Sequence, residues 1–171
     1  STPKRWQETK ETIRKCNALN LDPANPDCVA FLGWEWTQVG VIRANHWGHH
    51  NVILKEEDDN LVPPRAIASL SITRQAMTTR PLLPQTLFPF VDFANFKRYN
   101  DSYRYAKETV KVPDCDLRTP SIELPIDCHE RAVTPLGLVN RMEMYPSDYM
   151  IIPHGQTCLL YTSDAADDMQ C

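Results

Sequence analysis

Several features typical of common protein classes are missing from this chain of 171 residues. No apolar run approaches the roughly 20 residues that cross a bilayer, and no Cys-x-x-Cys pair suggests a structural zinc site. The formal net charge is only −4, from 18 basic and 22 acidic residues, so no basic surface for nucleic acid or anionic membrane is indicated. The acidic run 56–59 lacks the alternating spacing and central glycine of a calcium loop.

One carboxylate and a group of histidines stand out between two apolar runs. We predict short buried strands at 28–32 and 51–54, because both runs are β-branched or aromatic and are bounded by polar turns. Glu35 follows the first run, and three of the five histidines in the chain precede the second. If the two strands are neighbours, Glu35 and His49 share one rim of the sheet.

A third apolar run, 149–153, ends in His154, and Gly155 then permits a sharp turn. Residues at strand ends that meet on one rim of an α/β barrel are where such enzymes place their active sites. Carboxylate oxygen and imidazole nitrogen bind divalent metals such as zinc, manganese and iron. Glu35, His49 and His154 are therefore candidate metal ligands, and we assign His46 and His50 to packing, hydrogen bonding or support of the metal ligands.

Capping signals predict helices elsewhere. Thr2 and Pro3 begin an amphipathic helix over 3–19, and Thr134 and Pro135 begin a second one. A further helix is predicted over about 92–109. An aromatic belt leads into this helix, and it either packs against the barrel or forms a wall for stacking a substrate. The belt consists of Phe88, Phe90, Phe93, Phe96, Tyr99, Tyr103 and Tyr105. Proline-rich segments at 56–92 and 110–128 indicate irregular chain.

The cysteines allow two interpretations. Cys115 and Cys128 flank a proline-containing loop and could form a disulfide if the parent protein is exported. The alternative, which we favour, is that some of the four cysteines before the predicted tail are free, buried thiols that behave as small apolar residues. His129, beside Cys128 at the start of a helix, is assigned a structural role.

Two motifs carry a family resemblance. Phe-Leu-Gly-Trp-Glu-Trp-Thr (31–37) and Asn-His-Trp-Gly-His-His-Asn-Val-Ile-Leu (45–54) resemble a bacterial family called domain of unknown function 3604. That family belongs to the PHP (polymerase and histidinol phosphatase) superfamily of metal-dependent hydrolases. Residues 124–135 and 151–157 are similar to the same family and occur in the same order.

The resemblance implies a fold and a chemistry. The fold is α/β, a partial and distorted (β/α) barrel of PHP type with a long proline-rich insertion. Glu35 is implied as the bridging and catalytic carboxylate, with His49 and His154 as the other metal ligands. The implied reaction is hydrolysis of a small-molecule phosphoester or related ester by metal-activated water. The competing hypothesis is a non-catalytic binding or structural segment without a metal.

The chain departs from the superfamily pattern in two places. It has no His-x-His before Glu35 and no Asp-x-His anywhere, so the implied metal site is incomplete. Residues 158–167 resemble the in-frame translation of a transposase-type sequencing adapter. We therefore expect 158–171 to be a non-native tail and 1–157 to be an internal piece of a PHP-like domain, poorly folded and inactive on its own.

Overall fold

A computed structural model describes residues 2–20, 22, 24–40, 43–69 and 93–154. Within these ranges the protein is a mixed α/β structure of three helices and one three-stranded antiparallel sheet. In chain order the elements are α1 (Pro3–Asn17), β1 (Leu32–Gln38), β2 (Gly48–Leu54), α2 (Phe96–Lys111), α3 (Pro135–Met142) and β3 (Tyr149–His154). None of the helices in these ranges combines the length and apolar character that a bilayer span requires.

The capping residues predicted from the sequence begin two of the helices. The Thr2 side chain accepts a hydrogen bond from the Arg5 amide at 3.2 Å, and Pro3 is the first residue of α1. Thr134 accepts from the Gly137 amide at 3.0 Å at the start of α3. Both contacts satisfy amide groups that lack a partner within the helix. The third predicted helix is confirmed as α2, although it begins and ends a few residues later than expected.

The sheet has the order β1–β2–β3, with both neighbouring pairs antiparallel. β1 begins at Leu32, so the predicted strand at 28–32 is wrong over most of its length. The backbone at Cys28 and Ala30 instead bonds to side-chain amides at the end of α1. The antiparallel order does not confirm a barrel of parallel strands with intervening helices.

One face of the sheet carries the core. Trp36 and Val52 are completely buried there, and the Trp6 indole of α1 packs edge to face on Trp34 with 5.4 Å between ring centres. Inward positions alternate with outward ones along each strand. The cluster of buried residues consists of Trp6, Leu32, Trp36, Val52, Leu54, Val62, Ala66, Ile67, Ala132, Leu138 and Met142.

Cys115 and Cys128 form a disulfide with 5.0 Å between their Cα atoms. The disulfide that the sequence left as one interpretation is therefore present, and the free thiols that we favoured are found at Cys16 and Cys28. Both sulfurs lie in a small buried cluster with Leu124, and a parallel bridge between Asp114 and His129 holds the same two segments together. Backbone hydrogen bonds between 113–115 and 129 align the two cysteines, and no local sequence pattern reports these long-range contacts.

Some sequence predictions fall outside the described residues. These are the segment 70–92 of the proline-rich insertion, with Phe88 and Phe90 of the aromatic belt, and the predicted tail 158–171. Residues 56–69 contain no helix or strand, as the insertion predicts, apart from one bridge between Ala68 and Arg131. Tyr105, the one belt residue whose side chain is described, is 36% exposed on α2.

Candidate functional site

The candidate site lies on the face of the sheet opposite the core. Trp34 and Trp36 of β1 face the core, so the alternation of a strand directs Glu35 and Thr37 to the other side. The register pairs Glu35 with Asn51 and Thr37 with His49. The sequence therefore forms a strand through Glu35 rather than ending one before it, and this strand brings Glu35 close to His49.

Three side chains meet at this position. Glu35 Oε1 lies 2.6 Å from His49 Nδ1, and the Thr37 hydroxyl donates to the same carboxylate oxygen at 2.6 Å. Thr37 Oγ1 is also 3.0 Å from His49 Nδ1. The Glu35 side chain is 47% exposed and that of His49 is 25% exposed. The carboxylate is therefore in contact with the imidazole while both remain accessible from solvent.

His154 reaches the same part of the sheet through the backbone. It is the last residue of β3 and the register partner of His49 on the neighbouring strand. Thr37, His49 and His154 thus occupy directly opposed positions on the three strands. The backbone brings together the three predicted positions 35, 49 and 154. Side-chain geometry is described for Glu35 and His49.

The other described histidines lie elsewhere. His50 packs edge to face against Trp36, with 5.3 Å between ring centres, on the core side of the sheet. His46 is buried and its Nδ1 lies 3.1 Å from the Gly40 carbonyl oxygen. His129 is buried, with Nε2 3.3 Å from the Thr109 carbonyl oxygen. These contacts match the packing and hydrogen-bonding roles expected of the three residues.

Glu35 and His49 form a chemically suitable pair of donors for a divalent metal. Carboxylate and imidazole together suit zinc, manganese or iron. Among the residues that the structure describes, no group of three or more His, Cys, Asp or Glu side chains is arranged to hold a metal. The described side chains therefore supply two of the ligands that a full site needs.

Thr37 is the site residue that the sequence analysis missed. Its hydroxyl contacts both Glu35 and His49. The sequence spacing of Glu35 and Thr37 could have indicated this contact, because residues two positions apart in a strand lie on the same face. Recognising it required extending β1 beyond Leu32.

Comparison of the chain with protein-family models, with curated proteins and with solved structures finds no match.

Proposed function

We propose that this chain is part of a metal-dependent hydrolase of PHP type, with a partial (β/α) barrel fold, that acts on a phosphoester or related ester. The proposal is supported by the sequence resemblance at 31–37 and 45–54, where Glu35 and His49 are located. The observation that carries it is the meeting of Glu35 and His49 at 2.6 Å beside the backbone of His154. Glu35 and His49 lie on the adjacent strands β1 and β2, and His154 is the register partner of His49 on β3.

In this proposal the chain's own residues hold and orient the metal. Glu35 and His49, which are 2.6 Å apart at their nearest atoms, would both bind the metal, Glu35 through its carboxylate and His49 through an imidazole nitrogen. Thr37 would fix the carboxylate orientation through its hydroxyl. Zinc, manganese or iron, when bound, would activate water for attack on the ester and stabilise the charge that develops.

Metal content tests the proposal. The protein is stripped with a chelator, reloaded separately with zinc, manganese and iron(II), and analysed for bound metal after desalting. We expect the hydrolase that contains this chain to retain metal, and its Glu35→Gln and His154→Ala variants to lose it. Glu123→Gln, which alters an exposed carboxylate away from the sheet, serves as the matched control. Retention of the same stoichiometric metal in both site variants would refute the assignment.

A second function is favoured by the same contact. The Glu35, Thr37 and His49 side chains bond to one another, so they could serve only to hold β1 against β2 in a non-catalytic segment. Thr37→Val separates the two possibilities, because it removes the hydroxyl and leaves both metal ligands in place. Under the metal proposal Thr37→Val still binds metal, and metal raises its Tm by mass action. Under the second function Thr37→Val lowers the Tm as Glu35→Gln does, and added metal changes the Tm of neither variant.

A further inference from the structure

Two free cysteines lie close together at the end of α1. Cys16 is in the last turn of the helix and is half-buried, and Cys28 is exposed in the segment that precedes β1. The pKa of the Cys16 thiol is raised, first by a hydrogen bond with Cys28, then by charge repulsion from Cys28, and last by desolvation. The two cysteines are twelve positions apart in the sequence, but side-chain hydrogen bonds hold their two segments side by side.

Two side-chain amides hold the segment of Cys28 against the end of α1. The Asn20 side-chain amide donates to the Cys28 carbonyl oxygen at 2.7 Å and accepts from the Cys28 amide at 3.3 Å. Asn17, next to Cys16, makes the same pair of bonds to Ala30 at 2.9 Å each. These bonds fix the backbone at 28–30 against the end of α1, the helix that carries Cys16.

We infer that Cys16 and Cys28 are a reversible dithiol–disulfide site that joins the end of α1 to the segment leading into β1. Such a site takes a small-molecule disulfide of the glutathione type as its oxidant. Cys28 lies in the segment that leads into β1 (Leu32–Gln38), so the bond would fix the approach to the strand that carries the candidate site. The inference does not depend on the proposed hydrolase function.

The reaction proceeds in two exchange steps. The exposed Cys28 thiolate attacks the small disulfide, forms a mixed disulfide and releases one small thiol. The Cys16 thiolate then attacks the Cys28 sulfur and releases the second small thiol. The protons lost by the two cysteines appear on the two released thiols, and the two electrons reduce the small disulfide. Cys28 is exposed and Cys16 is only partly accessible, so Cys28 makes the first attack on the small disulfide.

Disulfide mapping tests the inference on the full chain. Cys158→Ser and Cys171→Ser are introduced together, and the protein is incubated with oxidised glutathione and digested without reduction. We expect a peptide pair linked through Cys16 and Cys28 that reduced glutathione reverses. Closing a loop of this length is expected to raise Tm by roughly 6–12 °C.

Variants identify the role of each group. Cys16→Ser should leave glutathione attached at Cys28, and Cys28→Ser should leave Cys16 largely unmodified. Asn20→Ala removes the two bonds to Cys28, so the mixed disulfide at Cys28 should persist longer before the ring closes. Asn140→Ala, an exposed asparagine in α3, is the matched control and should behave as the parent. Glutathione on both cysteines without a 16–28 link, or unchanged closure in Asn20→Ala, would overturn the inference.

Discussion

Asp59 is a half-exposed carboxylate that pairs with a buried lysine. Lys10 of α1 is only 4% exposed and bonds to Asp59 Oδ1, and Arg14 Nη1 bonds to Asp59 Oδ2 at 3.2 Å. Hydrogen bonds from Arg14 and then Lys10 lower the pKa of Asp59 to about 2 from an ordinary value of 3.8. A carboxyl whose pKa is depressed by folding stabilises the fold above its unfolded value and loses that contribution as pH falls.

We therefore expect Asp59→Asn to lower the free energy of unfolding at neutral pH, by about 1 kcal/mol because solvent screens a half-exposed pair. The difference from wild type should shrink as pH falls from 3.8 towards about 2. Urea denaturation at several pH values measures this dependence. Asp27→Asn, at an exposed position before β1, is the control. A difference that stays constant down to pH 2 would contradict the assignment.

Glu130 is the centre of a buried network of charges. It is 1% exposed and accepts hydrogen bonds from Arg65 Nε at 3.0 Å, from Arg141 Nη1 at 3.0 Å and from the Ser121 hydroxyl. Burial, and after it the negative charge of Glu130, raises the pKa of Tyr145 to about 12. The guanidinium groups also bond to backbone carbonyl oxygens at 117–125, so the network joins α3 to the preceding loop.

Glu130→Gln should lower the free energy of unfolding by about 3–5 kcal/mol, because two largely buried guanidinium groups lose their counter-charge. The pKa of Tyr145 should fall in the same variant, which ultraviolet absorbance titration can measure. Glu123→Gln, at an exposed position in the same loop, should leave both quantities unchanged. Equal stability of the two variants would show that the network contributes nothing net.

At the scale of the element, Gly33 permits the close approach of β1 and β2. A Cβ atom at this position would overlap with the Val52 carbonyl oxygen of the partner strand. Gly33→Ala should therefore force the strands apart and lower the free energy of unfolding by about 1–3 kcal/mol. Gly137→Ala in α3 is the contrast, because its Cβ would meet only side-chain atoms, the nearest being Thr134 Oγ1 at 3.2 Å. Chemical denaturation should give a clearly smaller change for Gly137→Ala.

The helices were predictable because their signals are local. Thr2 and Pro3 at one start, and Thr134 and Pro135 at the other, satisfy the first amides of the helix whatever the rest of the chain does. The bounds of β1 were not predictable in this way. Cys28 lies in an apolar run that reads as a strand, but contacts with Asn20 hold it outside the sheet, and such contacts are not encoded by hydrophobic periodicity.

The candidate site was predicted in part. The expectation that Glu35 and His49 lie near each other required only that their two strands be neighbours. The two strands do pair, and Glu35 Oε1 lies 2.6 Å from His49 Nδ1. The sequence could not specify that Glu35 lies within β1 and that Thr37 joins the contact. The metal role of Glu35, His49 and His154 stays a prediction, since it came from the family resemblance.

At the scale of the whole molecule, one core joins the described elements. Trp6 of α1, Trp36 of β1 and Leu138 of α3 belong to a single cluster of buried residues. The Trp36 indole nitrogen donates to the Ala132 carbonyl oxygen at 3.1 Å and the Trp6 indole nitrogen donates to that of Pro63 at 2.8 Å. A core shared in this way favours cooperative unfolding, whereas the family resemblance predicts that an incomplete barrel folds poorly on its own.

Substitutions at Leu138 and Leu136 in α3 test whether the chain unfolds cooperatively or folds poorly on its own. Leu138 is fully buried in the shared core and Leu136 is 69% exposed. Leu138→Ala should lower the free energy of unfolding by about 2–5 kcal/mol through the lost burial and the cavity that remains, while Leu136→Ala should change it by less than about 0.5 kcal/mol. Tryptophan fluorescence and far-ultraviolet circular dichroism should report the same urea midpoint, shifted equally in Leu138→Ala. Separate midpoints, or a broad transition without tertiary signal, would show instead that the elements form without a common core and that the sheet needs further chain to pack.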